Sequence, residues 1–244
     1  NTNLSNGQFF KNETFKNTPF SYDYLQVRTE FEPIIEVTQF KGDSETHPLI
    51  SPDDSYANFE RGWFDTLNRA RDDSLGVKID KAERSHARSV LKKGLTIKKE
   101  FGVNPFKFGV IGSTDTHTGL STAEEDNFWG KMAYEEPSQY RAMGMTMNMG
   151  ASGLAAVWAT DNTRESIFSS IRRKEVYATT GTRISLRFFG GWSFTKTDID
   201  KANFAEIGYQ KGVPMGGDLY RINEKRAPSF LVVASKDPME ANLD

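Results

Sequence analysis

The sequence predicts an α/β protein followed by a mostly β appendage. Three observations carry that expectation. Strand-like and helix-like segments alternate from about residue 30 to residue 180, as in βα units around a parallel sheet or barrel. From Arg183 onward the alternation gives way to strand-like runs separated by turns containing Gly and Pro. The chain has 244 residues, 37% hydrophobic and 26% charged; that is long for one ordinary domain but normal for an α/β barrel or a domain with an appendage.

Residues 1–24 are polar and aromatic and read as loop and irregular structure. Residues 31–40 read as a buried strand, because Ile34, Ile35 and Val37 are bulky and apolar. A helix is expected to open at Ser51, with Ser51 capping, Pro52 in the first turn, and Asp53 and Asp54 complementing the helix dipole. A second helix is expected from Lys81 to Glu100, with Ala87, Val90, Leu91 and Leu95 on one face and Gly102 ending it. Residues 106–112 read as a short strand that feeds the polar loop Ser113–Gly119. Residues 120–150 are rich in Glu, Met and Gly and show no clear pattern. Beyond them, residues 153–159 read as a strand, and Thr163 or Asn162 starts a helix through Arg173 with Ile167, Phe168 and Ile171 facing inward. Residues 175–180 read as a strand closed by Gly181, and 184–189 and 230–234 as strands of the appendage.

Composition excludes several classes. Cysteine is absent, so there is no disulfide scaffold, Cys-based zinc site or catalytic thiol. With 31 basic and 33 acidic residues there is no basic field to hold a phosphate backbone, and nucleic-acid binding is not expected. No apolar run approaches the ~18 residues of a membrane span. Residue 1 is Asn and the chain stops just after a strand-like run, so it reads as cut at both ends, and its compartment stays open between cytoplasm and periplasm.

Three histidines occur, His47, His86 and His117. In Asp115-Thr116-His117 the outer residues lie at i and i+2, so in an extended segment they present a carboxylate and an imidazole to one side, as a metal site needs. The competing reading is a turn in which Asp115 bonds its own backbone. Glu45-Thr46-His47 repeats the spacing, and Pro48 biases His47 toward an extended conformation; an ordinary solvated loop is the alternative. Glu36 interrupts an apolar strand, and a buried carboxylate must be paired, protonated or metal-bound; Arg28 is a candidate partner. Lys41 and Arg164 follow a strand and open a helix, where either could neutralise a phosphate. His86, among basic residues in the expected helix 81–100, reads as solvated. Of the tryptophans, Trp63, Trp129 and Trp192 could line a pocket, while Trp158 reads as core. Gly190-Gly191 and Gly216-Gly217 lack the context of a phosphate loop.

Taken in order, four segments carry a resemblance: Glu36–Pro48, Asn104–His117, Gly153–Ala159 and Arg173–Gly181. Together they resemble a bacterial branch of the polymerase-and-histidinol-phosphatase (PHP) superfamily, a domain of unknown function. The resemblance implies a distorted (β/α)7 barrel with two or three divalent ions, zinc, manganese or iron, at the carboxyl ends of its strands. It implies metal ligation by Asp115 and His117, with Glu36 as the candidate from an earlier strand and Glu45 and His47 as a motif of the branch. The superfamily's opening His-x-His motif and its later Asp-His pair are absent. Residues 1–182 are therefore expected to form the carboxyl-terminal part of such a barrel and 183–244 a truncated β appendage, with most ligands in a missing amino-terminal half.

The function expected on that basis is metal-dependent hydrolysis of a small phosphorylated substrate by metal-activated water, with Lys41 or Arg164 stabilising phosphoryl charge. The alternatives are hydrolysis of another ester or a carbon–nitrogen bond, or a non-enzymatic surface protein binding calcium or carbohydrate.

Overall fold

The structure, a computed structural model, describes residues 2–59, 61, 74–117, 119, 132, 138–140, 153–221 and 227–243. Among them are five α-helices and eight short strands in three small sheets. No sheet among the described residues closes on itself, so the expected (β/α)7 barrel, whole or partial, is not formed. The edge of β1 explains why. β1 (Ile34–Gln39) pairs in parallel with β3 (Gly109–Gly112), as a βα unit should, but its other edge takes β2 (Gly42–Asp43) in an antiparallel turn-back. Opposite Thr38 and Gln39 that edge is taken by the turn-back and not by the further parallel strand that a barrel needs. β4 (Leu154–Val157) and β5 (Val176–Thr179) make a separate pair.

The chain divides into two compact units, Asn1–Ala156 with Ala178–Gly181, and Val157–Tyr177 with Thr182–Asp244. In the first, α1 (Tyr22–Phe31) starts within the stretch expected to be irregular, residues 1–24, and runs on through residues 25–30, for which no element was expected. Ser21 caps it by accepting the Tyr24 N–H at 3.3 Å. It has no apolar stripe to betray it, and buries only Leu25 and Arg28. Arg28 grips Glu32 at 2.6 and 2.9 Å, not Glu36, and lies 5.0 Å over the Phe106 ring. Phe10, Leu25, Ile35, Val37, Val90 and Phe106 form the heart of the core.

Two sequence expectations fail nearby. Residues 51–59 make successive turns instead of a helix, and the Ser51 hydroxyl meets Thr46 Oγ1 at 2.7 Å. The expected helix 81–100 is two helices, α2 (Leu75–Glu83) and α3 (Ala87–Phe101). The break is stabilised by tertiary bonds: Ala87 and Arg88 N–H groups donate to the Ser44 and Glu45 carbonyls at 2.9 and 3.0 Å, satisfying the start of α3. Ser85 accepts the Gly7 N–H at 2.8 Å. The buried face of α3 runs through Ala87, Val90, Gly94 and Ile97, while Leu91 and Leu95 are exposed. Gly94 turns that face inward because Asn104 packs on it; a Cβ there would lie 2.1 Å from Asn104 Oδ1. Gly102 ends α3 in the left-handed conformation at φ 81°, as expected.

Glycines also set the close approach of three backbones at the ends of β1 and β3. Ser113 N–H donates to Thr38 O at 3.0 Å, and Gly153 N–H to Ser113 O at 2.8 Å. A Cβ on Gly153 would come within 2.7 Å of Thr38 O and 2.8 Å of Ser113 N. These are backbone atoms that cannot swing aside, so Gly153→Ala is expected to cost about 1–3 kcal/mol by overpacking. Urea unfolding checks it; a midpoint unchanged from wild type would show that the approach is not tight.

In the second unit, α4 (Arg164–Arg172) starts where expected, Thr163 accepting the Ser166 N–H at 3.3 Å. Its inward face differs, since Ser170 is its buried residue and Phe168 is 62% exposed. The expected strands near 184–189 and 230–234 are β6 (Ser185–Gly191) and β8 (Ser229–Ser235), antiparallel partners, with β7 (Gly212–Pro214) antiparallel on the other side of β6. The helix α5 (Phe204–Lys211) was not expected; its Gly208 admits the Phe189 ring, which a Cβ would meet at 2.6 Å. Lys211 holds the buried Asp198 at 2.9 Å. No helix among the described residues is long and apolar enough to cross a membrane.

Candidate functional site

The parallel register of β1 and β3 puts the candidate residues at one sheet end. Glu36 stands opposite Ile111 and Thr38 opposite Gly112, so the chain leaves β3 beside the end of β1. Ser113, the first residue after β3, donates its hydroxyl to Glu36 Oε2 at 2.7 Å. Two residues on, Asp115 takes φ 52°, a left-handed backbone that Asp tolerates better than most residues. Its carboxylate lies 2.5 Å from the Lys41 ammonium, which stands on the turn after β1, and 3.5 Å from His117 Nε2. The Lys41 and Asp115 side chains are mostly buried and His117 is about half exposed. An ammonium, a carboxylate and an imidazole thus share one spot, beside a hydroxyl-held second carboxylate.

Glu45 and His47 do not share a side. Glu45 faces outward and pairs with Arg88 at 2.6 Å, and Arg88 also holds Asp54 at 2.6 Å. His47 turns into the protein and is 2% exposed. A bend at Glu45, whose N–H donates to the Asp43 carboxylate, separates the two. His47 Nδ1 accepts the Leu49 N–H at 3.0 Å, and Nε2 lies 2.5 Å from Arg61 Nη2. Burial pushes its pKa down to about 4, with the Arg61 charge adding to the effect.

His86 contradicts its sequence reading. It is 2% exposed, sits at the N-cap position of α3, and meets His47 ring to ring at 5.5 Å. Burial lowers its pKa to about 4, against the pull of the Ala82 carbonyl. A neutral ring must donate to that carbonyl through Nδ1, at 2.9 Å, which leaves the lone pair on Nε2. Metal-bound histidines are oriented in this way, so His86 has the tautomer of a ligand. Asp43, two residues before Glu45, is raised to about 7 by burial.

Arg164, the other candidate cation, belongs to the second unit and is exposed in the first turn of α4. Trp63, Trp129 and nearly all of the 120–150 segment lie outside the described residues. Trp158 is partly exposed, not core. Sequence reasoning missed Ser113, His86, Asp43 and Arg61. Only the Ser85-His86 pair, two poor helix formers ahead of the Ala87 stripe, signalled that a helix begins there.

As donors, imidazole and carboxylate suit zinc, manganese or iron. Among the described residues they come two at a time, and no three His, Asp or Glu side chains gather closely enough to hold an ion.

No curated protein and no solved structure matches the chain. The family match it does have carries no link to the PHP superfamily. A family profile described as "Protein of unknown function (DUF3604)" matches residues 1–244, and the chain belongs to that family.

Proposed function

We propose that this chain carries part of the active site of a metal-dependent hydrolase, most simply a phosphoesterase of PHP type in its ligand chemistry. The observation that supports this reading is the convergence of Asp115, His117 and Lys41 at the end of the β1–β3 pair. Asp115 and His117 would hold a divalent ion, with Glu36 on the neighbouring strand, tied to the same loop through Ser113. A bound ion of this kind supplies hydroxide at neutral pH by lowering the pKa of water.

The remaining work falls to the chain's own groups. Ser113 fixes the Glu36 carboxylate by donating to Oε2, so its other oxygen keeps a defined direction. Lys41 neutralises Asp115 and brings a cation to the place where phosphoryl oxygens would gain charge. The left-handed turn at Asp115 aims the loop so that Asp115 and His117 approach each other.

Asp115→Ala and His117→Ala in the full-length protein are expected to lower bound metal and to cut turnover of a generic phosphate ester. Losing a group behind a ligand typically costs ~10–100-fold, and losing a ligand should cost at least as much. His86 cannot serve as the inert control, because it is buried; the exposed Glu83→Ala can. Metal content by elemental analysis and parallel kinetics decide the matter. Full metal occupancy and wild-type rate in both variants would leave Asp115 as an ordinary turn residue.

A further inference from the structure

The second unit holds a cavity of about 390 Å³. Its lining includes Trp158, Arg173, Glu175, Arg187 and Tyr209. Each is set by the local fold. Trp158 follows β4 and is pinned twice: its N–H donates to Glu175 O at 3.0 Å and its indole Nε1 to Leu186 O at 2.8 Å. Arg187, on β6, lays its guanidinium 3.3 Å above the Trp158 ring and donates from Nη1 to Tyr209 Oη at 3.0 Å. Tyr209, on α5, donates its own hydroxyl to the Glu175 carboxylate. Arg173, at the end of α4, reaches Glu175 Oε2 at 3.5 Å and Ser170 Oγ at 3.0 Å, both through Nη2.

The charges do not balance within this group. Two guanidiniums stand against one carboxylate, and the Glu175 side chain is 7% exposed and already engaged by Arg173 and Tyr209. Arg187 is held flat by a ring and one hydrogen bond, so its guanidinium edge is fixed in place before any ligand arrives. Aromatic walls beside a guanidinium suit an organic body attached to an anion. Stacking on Trp158 alone would explain Arg187 as a packing residue. It does not explain the second arginine, more than half exposed, at the same cavity.

We infer that this cavity is a binding site for a small organic oxyanion, a carboxylate or phosphoryl group carried on an apolar body, held by Arg173 and Arg187 against Trp158. The site lies wholly in the second unit and does not rest on the hydrolase reading.

The test uses the full chain and Trp158 fluorescence, with Trp158→Phe identifying that signal. Phenyl phosphate and benzoate are titrated at constant ionic strength, with neutral phenol in parallel. Saturable binding of either anion but not of phenol is expected, and which anion binds names the group. Arg173→Gln should weaken it about 10- to 100-fold, as the loss of a charge-assisted hydrogen bond does. Arg173 is exposed enough for that change to leave folding intact, which thermal melting verifies, so it decides even if Arg187→Gln unfolds. Absence of saturation by both anions at tens of millimolar (roughly the weakest affinity worth a site), equal binding of phenol, or unchanged affinity in Arg173→Gln overturns the proposal.

Discussion

Phe106→Ala is expected to destabilise the protein by about 3–5 kcal/mol, the range for emptying a buried aromatic site. Phe106 is fully buried, edge-on to Phe10 at 5.4 Å and tilted against Phe108 at 5.7 Å. Its ring also carries the Arg28 guanidinium at 5.0 Å, and Arg28 itself is 8% exposed. The substitution therefore opens a cavity and withdraws the π face from a buried cation, so the upper part of the range applies. Phe106 stands three residues before β3, and the loop bearing Ser113, Asp115 and His117 hangs from that strand. Loss of order there should follow loss of the core. Urea unfolding of wild type, Phe106→Ala and Phe15→Ala provides the comparison. Phe15 is 95% exposed, and its removal should change stability by no more than about 0.5 kcal/mol. A Phe106→Ala shift as small as that of Phe15→Ala would show that the aromatic cluster is not the core.

Local chemistry was legible in the sequence, and long-range closure was not. Thr163 and Gly102 announce a helix start and a helix stop because caps act within a few residues of the backbone groups they satisfy. Ile34, Ile35 and Val37 announce β1 through bulk alone, and Glu36 among them announces a carboxylate needing a partner. Its partner is not the expected one. Arg28 is nearer in sequence, but Glu32 lies one helical turn away from it and takes it, while Ser113 reaches Glu36 across 77 residues. βα alternation leaves a parallel sheet or a barrel open, and the (β/α)7 barrel is what the resemblance implies; alternation specifies neighbours in sequence and says nothing about which strand occupies an edge, and opposite Thr38 and Gln39 β2 occupies it. From the sequence His86 reads as solvated because Arg84 and Arg88 flank it. Those arginines point to Asp80 and Glu45, and the turn containing His47 covers the imidazole between them. A helix that starts by tertiary hydrogen bonds from residues 44–45 leaves no capping residue to read.

The buried imidazole pair makes the metal-free protein acid-sensitive in a defined window. His47 and His86 have folded pKa values near 4 against an ordinary value of 6.5. Between those values the unfolded chain binds two protons that the folded one refuses. Asp43 works in the opposite sense: it is raised from 3.8 to about 7, so the folded chain binds a proton there that the unfolded one lacks. The difference is about one proton in favour of the unfolded state, and stability rises with pH by about 1.4 kcal/mol per unit across that range. Falling from pH 7 to 4, the two histidines lose about 3 kcal/mol each and Asp43 returns about 3–4, a net loss of a few kcal/mol. The carboxylates held low by partners, Asp54, Asp80 and Asp237, lose their share below the ordinary carboxylate value of 3.8, outside the window. Removing His86 with Gln takes away one of the two protons and should flatten the slope between pH 4 and 6.5. Asp43→Asn should steepen it toward about 2.7 kcal/mol per unit, since both histidines then act unopposed. Urea midpoints of chelator-treated protein at half-unit pH steps measure all three slopes. A wild-type stability that is flat or falls as pH rises from 4 to 6.5 would mean that the imidazoles are charged or solvated in the folded state.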